Sequence, residues 1–316
     1  MYGDIKLFSG TACPELSTEI ARYLGAPLGG RDIIKFPNEN IFVRLHNSVR
    51  GQDVYVIQTT SAPVSDNLME LLITIQTLKL DSAARITAVV PYLCYARSDK
   101  KDQPRVPITA RLVADMIEVA GADRYITMDL HAGQIQGFFS IPGDVLTAFH
   151  ILSAYFVEKR PVLVNPVIVT ADLGFAKKGR NFAARLGASM AFIEKRRTGN
   201  DAHAQAMTVI GDVQGRDVVI VDDEVDTAGS VCQAVEIVKD HGARDVYLSF
   251  VHAIFSHPAV ERLAALPIRE IVTTDTVPVP PEKRVPNLRV LSVAPLLGEV
   301  IRRAHEGRSV GEMFNE

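Results

Sequence analysis

Short apolar runs alternate with amphipathic ones along this whole chain, and that alternation most restricts its fold. "DVYVIQ" (53–58), "ITAVVPY" (86–92), "RYITMDL" (124–130), "PVIVTAD" (166–172) and "DVVIVDD" (217–223) read as buried strands. "VSDNLMELLITIQTLKL" and "ITARLVADMIEVAG" read as helices, with Gly121 as the stop of the second. Strands alternating with helices predict an α/β fold with parallel sheets.

The pattern also repeats. A segment starting at Arg50 and one starting at Gln214 each run strand, loop, helix, "AR" and a second strand. Gly51 pairs with Gly215 and Arg85 with Arg244, the second interval being five residues shorter. Two similar domains follow, which suits a length of 316 residues. Their expected bounds are 1–146 and 147–295, with 296–316 as a C-terminal helix and tail packing back on the first.

The bulk numbers exclude several classes. A formal net charge of −3 gives no footprint for nucleic acid. No run approaches the roughly 18 apolar residues of a membrane span. Cys13, Cys94 and Cys232 fit no zinc or CxxC spacing, and so sparse a set suits a reducing compartment. No apolar stretch of signal-peptide type follows Met1–Lys6, so the cytoplasm is expected.

One stretch sets the chemistry. In "DVVIVDDEVDTAGS" a strand runs into Asp222, Asp223, Glu224 and Asp226, and then into Thr227, Ala228, Gly229 and Ser230. The first repeat has Gln58, Thr59 and Thr60 where the acids begin, so packing alone does not require them. Carboxylates accept hydrogen bonds from vicinal hydroxyls. The small-residue loop and the helix expected near Val231 offer N–H donors to a phosphate. A sugar phosphate such as ribose 5-phosphate satisfies both halves. A Walker-type reading fails, because Arg180 and Asn181 stand in "GFAKKGRN" where Lys and a hydroxyl belong.

"VVIVDDEVDTAGS" resembles the diphosphate-sugar loop of the type I phosphoribosyltransferase fold. "TMDLHAGQIQGFF", "YARSDKKDQPR", "FIEKRR" and "VLSVAPLLGEVIRRAHEGRSVGEMF" resemble, in order along the chain, the ribose-phosphate diphosphokinases. The resemblance implies two type I phosphoribosyltransferase-like domains, each a mostly parallel sheet flanked by helices. It implies a Mg²⁺-dependent transfer of a diphosphoryl group from ATP to ribose 5-phosphate.

Carried over position by position, Asp222, Asp223, Asp226, Thr227, Ala228, Gly229 and Ser230 would hold ribose 5-phosphate. Lys195 and Arg197 would reach the transferring phosphate, with Gly199, Asn200 and Asp201 in a mobile loop behind them. His131 and Asp172 would bind Mg²⁺ or its water shell. Phe36, Asn38, Asn40, Arg97, Ser98 and His131 would line the nucleotide site. The resemblance also implies a homo-oligomer, a hexamer built from dimers, with phosphate and ADP as effectors. Ser48, Arg50, Arg105, Asp144, Ser309, Val310 and Phe314 match the effector positions. The chain departs from the family pattern at Asn40, Ser98 and Ser140, which leaves donor-nucleotide preference and effector response open. A non-catalytic regulatory subunit and a phosphoribosyltransferase are the rival readings. Intact Lys195, Arg197, His131 and acids favour an enzyme, and "TMDLHAGQIQGFF" speaks against a phosphoribosyltransferase.

Overall fold

The computed structural model describes residues 3–171, 175–197 and 205–313, for 195–197 and 205–207 the backbone alone. It has two compact units. One runs from the N-terminus to Thr147 and takes in Thr276–Pro278 and the chain from Ser292 onward; the other is Ala148–Asp275 with Val279–Leu291.

The first unit opens with β1 (Ile5–Ser9), α1 (Pro14–Leu24) and an antiparallel hairpin of β2 (Arg31–Lys35) and β3 (Ile41–Leu45). Then follow β4 (Asp53–Ile57), α2 (Val64–Leu80), β5 (Arg85–Val90), α3 (Thr109–Ala120), β6 (Arg124–Met128) and β7 (Gly143–Leu146). The five strands β1-β4-β5-β6-β7 are parallel in that order. Every residue of β4 is buried, as expected of a strand covered on both faces, so its sequence is a continuous run and not an alternation. α3 buries Ala110, Val113, Ala114 and Ile117, the spacing of one helical face. It stops at Gly121, whose φ of 114° is open to glycine and costly to other residues.

The second unit carries α4 (Phe149–Lys159), β8 (Val167–Thr170), α5 (Ala176–Leu186), β9 (Ser189–Arg197) and β10 (Gln205–Ile210). After these come β11 (Val218–Val225), α6 (Gly229–Asp240), β12 (Val246–Ala253), α7 (Ala259–Ala265), β13 (Ile268–Thr274) and β14 (Leu288–Leu291). The sheet order is β10-β9-β8-β11-β12-β13-β14, parallel except for β10. From β8 the chain moves outward to β9, and from β11 it moves the other way to β12. The pair β8/β11 is therefore a topological switch point, where the crevice outside the strand ends receives ligands. The first sheet proceeds in one direction from its edge strand β1 and has no such point.

The chain then returns to the first unit as α8 (Ala294–Glu306), which packs on α1. Tyr23 lies against Gly298, where a Cβ would overlap its ring, and donates to Glu299 at 3.2 Å. No described helix is long and apolar enough to cross a membrane. Among the described residues no disulfide joins Cys13, Cys94 or Cys232.

Each unit is tied at its strand-start edge by a buried carboxylate. In the first, Arg85 grips Asp53 through two bonds of 2.7 and 2.5 Å. The Tyr55 hydroxyl (2.9 Å) and His305 Nδ1 (2.8 Å) meet the same carboxylate, and Arg85 also donates to the Ala304 carbonyl at 3.0 Å. In the second, Arg244 grips Asp217 at 2.7 and 3.2 Å, and the Val164 N–H adds a bond of 2.8 Å. The arginines that pair in the sequence repeat thus make the same contact in both units.

Candidate active site

β11 outruns its neighbour. Its register with β8 ends at Val221 opposite Thr170, while the ladder with β12 continues to Val225 opposite Ala253. The strand therefore runs to Val225, two residues past the expected end at 223, and takes in Glu224 as well as Asp222 and Asp223. Strand alternation separates Asp222 and Glu224 from Asp223, and Asp223 is the more buried, at 6% exposed. Asp222 Oδ1 accepts the Asp223 N–H and Asp223 Oδ1 accepts the Glu224 N–H, each at 2.9 Å. Burial, followed by the Asp223 and Glu224 carboxylates, pushes Asp222 well above the usual carboxylate range. Such a site favours hydrogen-bond donors or a cation.

The turn that follows reverses the preference. Ala228 sits in the left-handed region (φ 60°, ψ 11°), a conformation that costs about 1–2 kcal/mol for a residue with a Cβ. α6 starts at Gly229, two residues before the expected start, because Ala228 supplies the sharp turn. No side chain caps α6, so its first N–H groups are left for an anion. Thr227 and Ser230 are exposed beside them. Arg262, from α7, donates to the Thr227 carbonyl at 2.8 Å and passes 3.6 Å from where a Cβ on Gly229 would lie. Sequence reasoning missed Arg262; thirty-five residues separate it from the loop, and no motif marks it.

Lys195 and Arg197 belong to β9. Its register with β8 ends at Phe192 opposite Thr170, and beyond that β9 pairs only with β10, Lys195 opposite Met207 and Arg197 opposite Gln205. Because β9 runs parallel to β8, this ribbon leaves the sheet at the same strand-end edge as the acids of β11. The side chains of Lys195 and Arg197, and all of Asp172 and residues 199–201, lie outside the described residues.

In the first unit the hairpin tip gathers Phe36, Asn38 and Asn40. Asn38 Oδ1 accepts the Asn40 N–H at 3.2 Å, and the Asn40 carbonyl accepts the Phe36 N–H at 2.8 Å. All three side chains are exposed, and Lys35 ties the hairpin to Asp66 of α2 at 2.7 Å. Arg97 and Ser98 follow β5, and His131 follows its neighbour β6. Gln134 and the buried Asp99 are hydrogen-bonded and join those two loops. Arg97 and His131 are exposed, and Ser98 meets Thr109 at 3.3 Å.

The first repeat's counterpart of the acidic strand end is closed by its own side chains. Gln58 accepts the Ala12 N–H at 3.1 Å and donates to Glu70 at 2.9 Å. Glu70 takes both the N–H and the hydroxyl of Thr11 at 2.6 Å. Gly10 is required, since a Cβ there would overlap the Gln58 amide. Thr59 and Thr60 donate to the Thr276 and Tyr92 carbonyls at 2.9 and 2.8 Å. The side-chain donors of Gln58, Thr59 and Thr60 are thus spent internally.

Comparison with known proteins bears on this arrangement. A model described as the N-terminal domain of ribose phosphate pyrophosphokinase matches residues 5–121. One described as a phosphoribosyl synthetase-associated domain matches 201–315. A ribose-phosphate pyrophosphokinase of Caldanaerobacter subterraneus subsp. tengcongensis is 49% identical over 98% of this chain and 98% of its own. The chain belongs to the ribose-phosphate pyrophosphokinase family.

Another member of this family, from Aquifex aeolicus, is 47% identical over 98% of this chain and 99% of its own. The crystal structure of phosphoribosylpyrophosphate synthetase from Mycobacterium smegmatis superposes with a TM-score of 0.91 at 42% identity, covering 96% of this chain and 100% of that one. As in other pyrophosphokinases of the family, the fold is α/β with parallel sheets flanked by helices. The residues matched to effector positions are spread over several segments. Ser48 and Arg50 share the turn before β4, with the Arg50 N–H on Ser48 Oγ at 3.3 Å. Arg105 is exposed at a φ of 66°. Asp144, at the start of β7, holds Arg124 at 2.9 Å. Ser309 and Val310 follow α8, the Ser309 carbonyl accepting from Arg303 at 2.8 Å. Phe314 lies outside the described residues.

Proposed function

We propose that the chain is a ribose-phosphate diphosphokinase. It transfers the β,γ-diphosphoryl group of ATP to the C1 hydroxyl of ribose 5-phosphate, giving 5-phosphoribosyl 1-diphosphate and AMP. The observation that carries this is the seam at 222–230, where a carboxylate-bearing strand end runs straight into an uncapped helix N-terminus at the switch point. A ribose 5-phosphate can lie across that seam in one sense only. Its hydroxyls face Asp222, Asp223 and Asp226, which would repel its phosphate. Its phosphate takes the N–H groups and hydroxyls of Thr227, Ala228, Gly229 and Ser230. Arg262 holds the Thr227 carbonyl away from the anion and so keeps the turn open.

Transfer of a diphosphoryl group asks a protein for positioning and for cancellation of negative charge. Lys195 and Arg197 are assigned to that charge. Phe36, Asn38, Asn40, Arg97, Ser98 and His131, all in the first unit, are assigned to the nucleotide. The domain roles follow: nucleotide and subunit contacts in the first, ribose 5-phosphate in the second.

Among the described residues no three His, Cys, Asp or Glu side chains form a metal cage. Mg²⁺ prefers oxygen ligands, keeps several waters and is held by one or two side chains with substrate phosphates. His131, exposed at the end of β6, suits a partner of a metal-bound water, since imidazole is the softer donor. Asp172 would supply the oxygen. Bound there with the nucleotide, Mg²⁺ would neutralise phosphate charge. A homo-oligomer, with a hexamer of dimers and phosphate and ADP as effectors, and a cytoplasmic location belong to the same proposal.

The test is phosphorus NMR of the purified chain with Mg²⁺, ATP and ribose 5-phosphate. AMP and 5-phosphoribosyl 1-diphosphate should form together and require both substrates. No product across a range of phosphate, metal and nucleotide concentrations would overturn the reading in favour of a regulatory subunit.

A further inference from the structure

At the opposite, strand-start edge of the second unit lies a cavity of about 410 Å³. Four cations line it: Lys159 at the end of α4, Arg244 before β12, Arg269 in β13 and Arg289 in β14. Two are accounted for. Lys159 is bonded to Glu270 and lies 5.7 Å over the Tyr247 ring, and Arg244 holds Asp217 at 2.7 Å and Asp245 at 3.4 Å. Arg269 and Arg289 have no acceptor among the described residues.

The first unit shows how the same edge is finished when the chain supplies the counter-charge. There Arg85 gives its spare N–H to the Ala304 carbonyl, and His305 covers Asp53. Arg124, at the start of β6, is matched by Asp144. The second unit repeats the Asp–Arg pair, but among the described residues no carboxylate meets Arg269 or Arg289.

We infer that this cavity binds a phosphate group, free or as a monoester. Four cations face three carboxylates, Glu270, Asp217 and Asp245, so this edge keeps a net positive charge, and the Arg269 and Arg289 guanidinium groups are the ones left to meet an anion. Guanidinium forks suit phosphate oxygens. The volume falls within the range of about 300–1,000 Å³ usual for small-molecule sites, which leaves room for the organic part of an ester. The site shares no residue with the positions assigned to substrates or effectors above.

The test is calorimetric titration of the full chain with inorganic phosphate at fixed ionic strength, beside Arg269→Ala/Arg289→Ala. The wild type should show one site more than the double variant, or that site should weaken on the order of tenfold or more, as expected for the loss of charge-assisted hydrogen bonds. Identical stoichiometry and affinity in the two proteins would overturn the inference. Both side chains are exposed and unpaired, so the variant's Tm without phosphate should match the wild type's. If the alanine pair does not fold, Arg269→Gln/Arg289→Gln gives the same comparison. A second arm with glycerol 3-phosphate separates the sources: tighter binding than phosphate marks an ester site, equal binding a site for the free ion.

Discussion

Arg85→Met removes the cation from a carboxylate that has no exposed surface. Methionine retains much of the side-chain volume, so the change is chiefly one of charge and hydrogen bonding. Breaking a buried pair by deleting one partner costs about 3–5 kcal/mol. The Tyr55 hydroxyl and His305 Nδ1 stay on Asp53, so the lower end applies, about 3 kcal/mol. The repeat provides an internal control. Arg244→Met strips the same partner from Asp217, but Arg244 is 46% exposed against 12% for Arg85. Water can enter where Arg244 was and hydrate the carboxylate, so the loss should be clearly smaller. A chain with two units need not unfold in one step, so native-state hydrogen exchange is the suitable assay. Amides of β4 and β5 report on Arg85→Met, and those of β11 and β12 on Arg244→Met. Equal losses in the two variants, or a loss under about 1 kcal/mol at β4 and β5, would refute the idea that burial sets the worth of these pairs.

Lys195→Ala should lower kcat by about 10²–10³, the cost of removing one donor from developing charge, with little change in the ribose 5-phosphate KM. Asp223→Asn should instead raise that KM, and steady-state constants separate the two. Arg262→Ala loses the 2.8 Å bond to the Thr227 carbonyl and should raise the same KM by about two- to tenfold at constant kcat. Asp222 is held above the usual carboxylate range in the folded state, so the fold binds that proton more tightly than the unfolded chain does. The stability gained from the proton is present at low pH and fades as pH rises from the ordinary carboxylate value through the raised one. Asp222→Asn should therefore melt higher than wild type at pH 8, by about 2–4 °C if it recovers about 1 kcal/mol, and show a smaller gap near pH 4. An unchanged gap would refute the sign.

Periodicity placed the regular elements well. The helix expected over 64–80 has those bounds, because its apolar positions, Pro63 before it and the strand after it are all local signals. The end of β11 was not legible. It is set by β12, which continues the ladder after β8 stops, and that choice is tertiary. The start of α6 at Gly229 was hidden because it depends on a left-handed alanine, a conformation that alanine composition does not advertise. Acids and small residues at 222–230 could be read as a two-part ligand site from chemistry alone. The Arg262 bond could not, since α7 reaches the loop only through the fold. The repeat flagged Arg85 and Arg244 as equivalent, yet only the structure showed that each holds a buried aspartate.

α8 has a consequence for synthesis. It belongs to the first unit although it is encoded after the whole of the second. A ribosome delivering about 5–20 residues per second releases it on the order of ten seconds after the stretch ending at Thr147. Throughout this interval Arg85 waits for the Ala304 carbonyl, Asp53 for His305, and the α1 face bearing Tyr23 for its cover. The unit made second has all its parts first. Order of birth and order of completion are thus reversed, and a nascent chain stalled before residue 292 would hold a finished second unit behind an unfinished first, a natural client for chaperones.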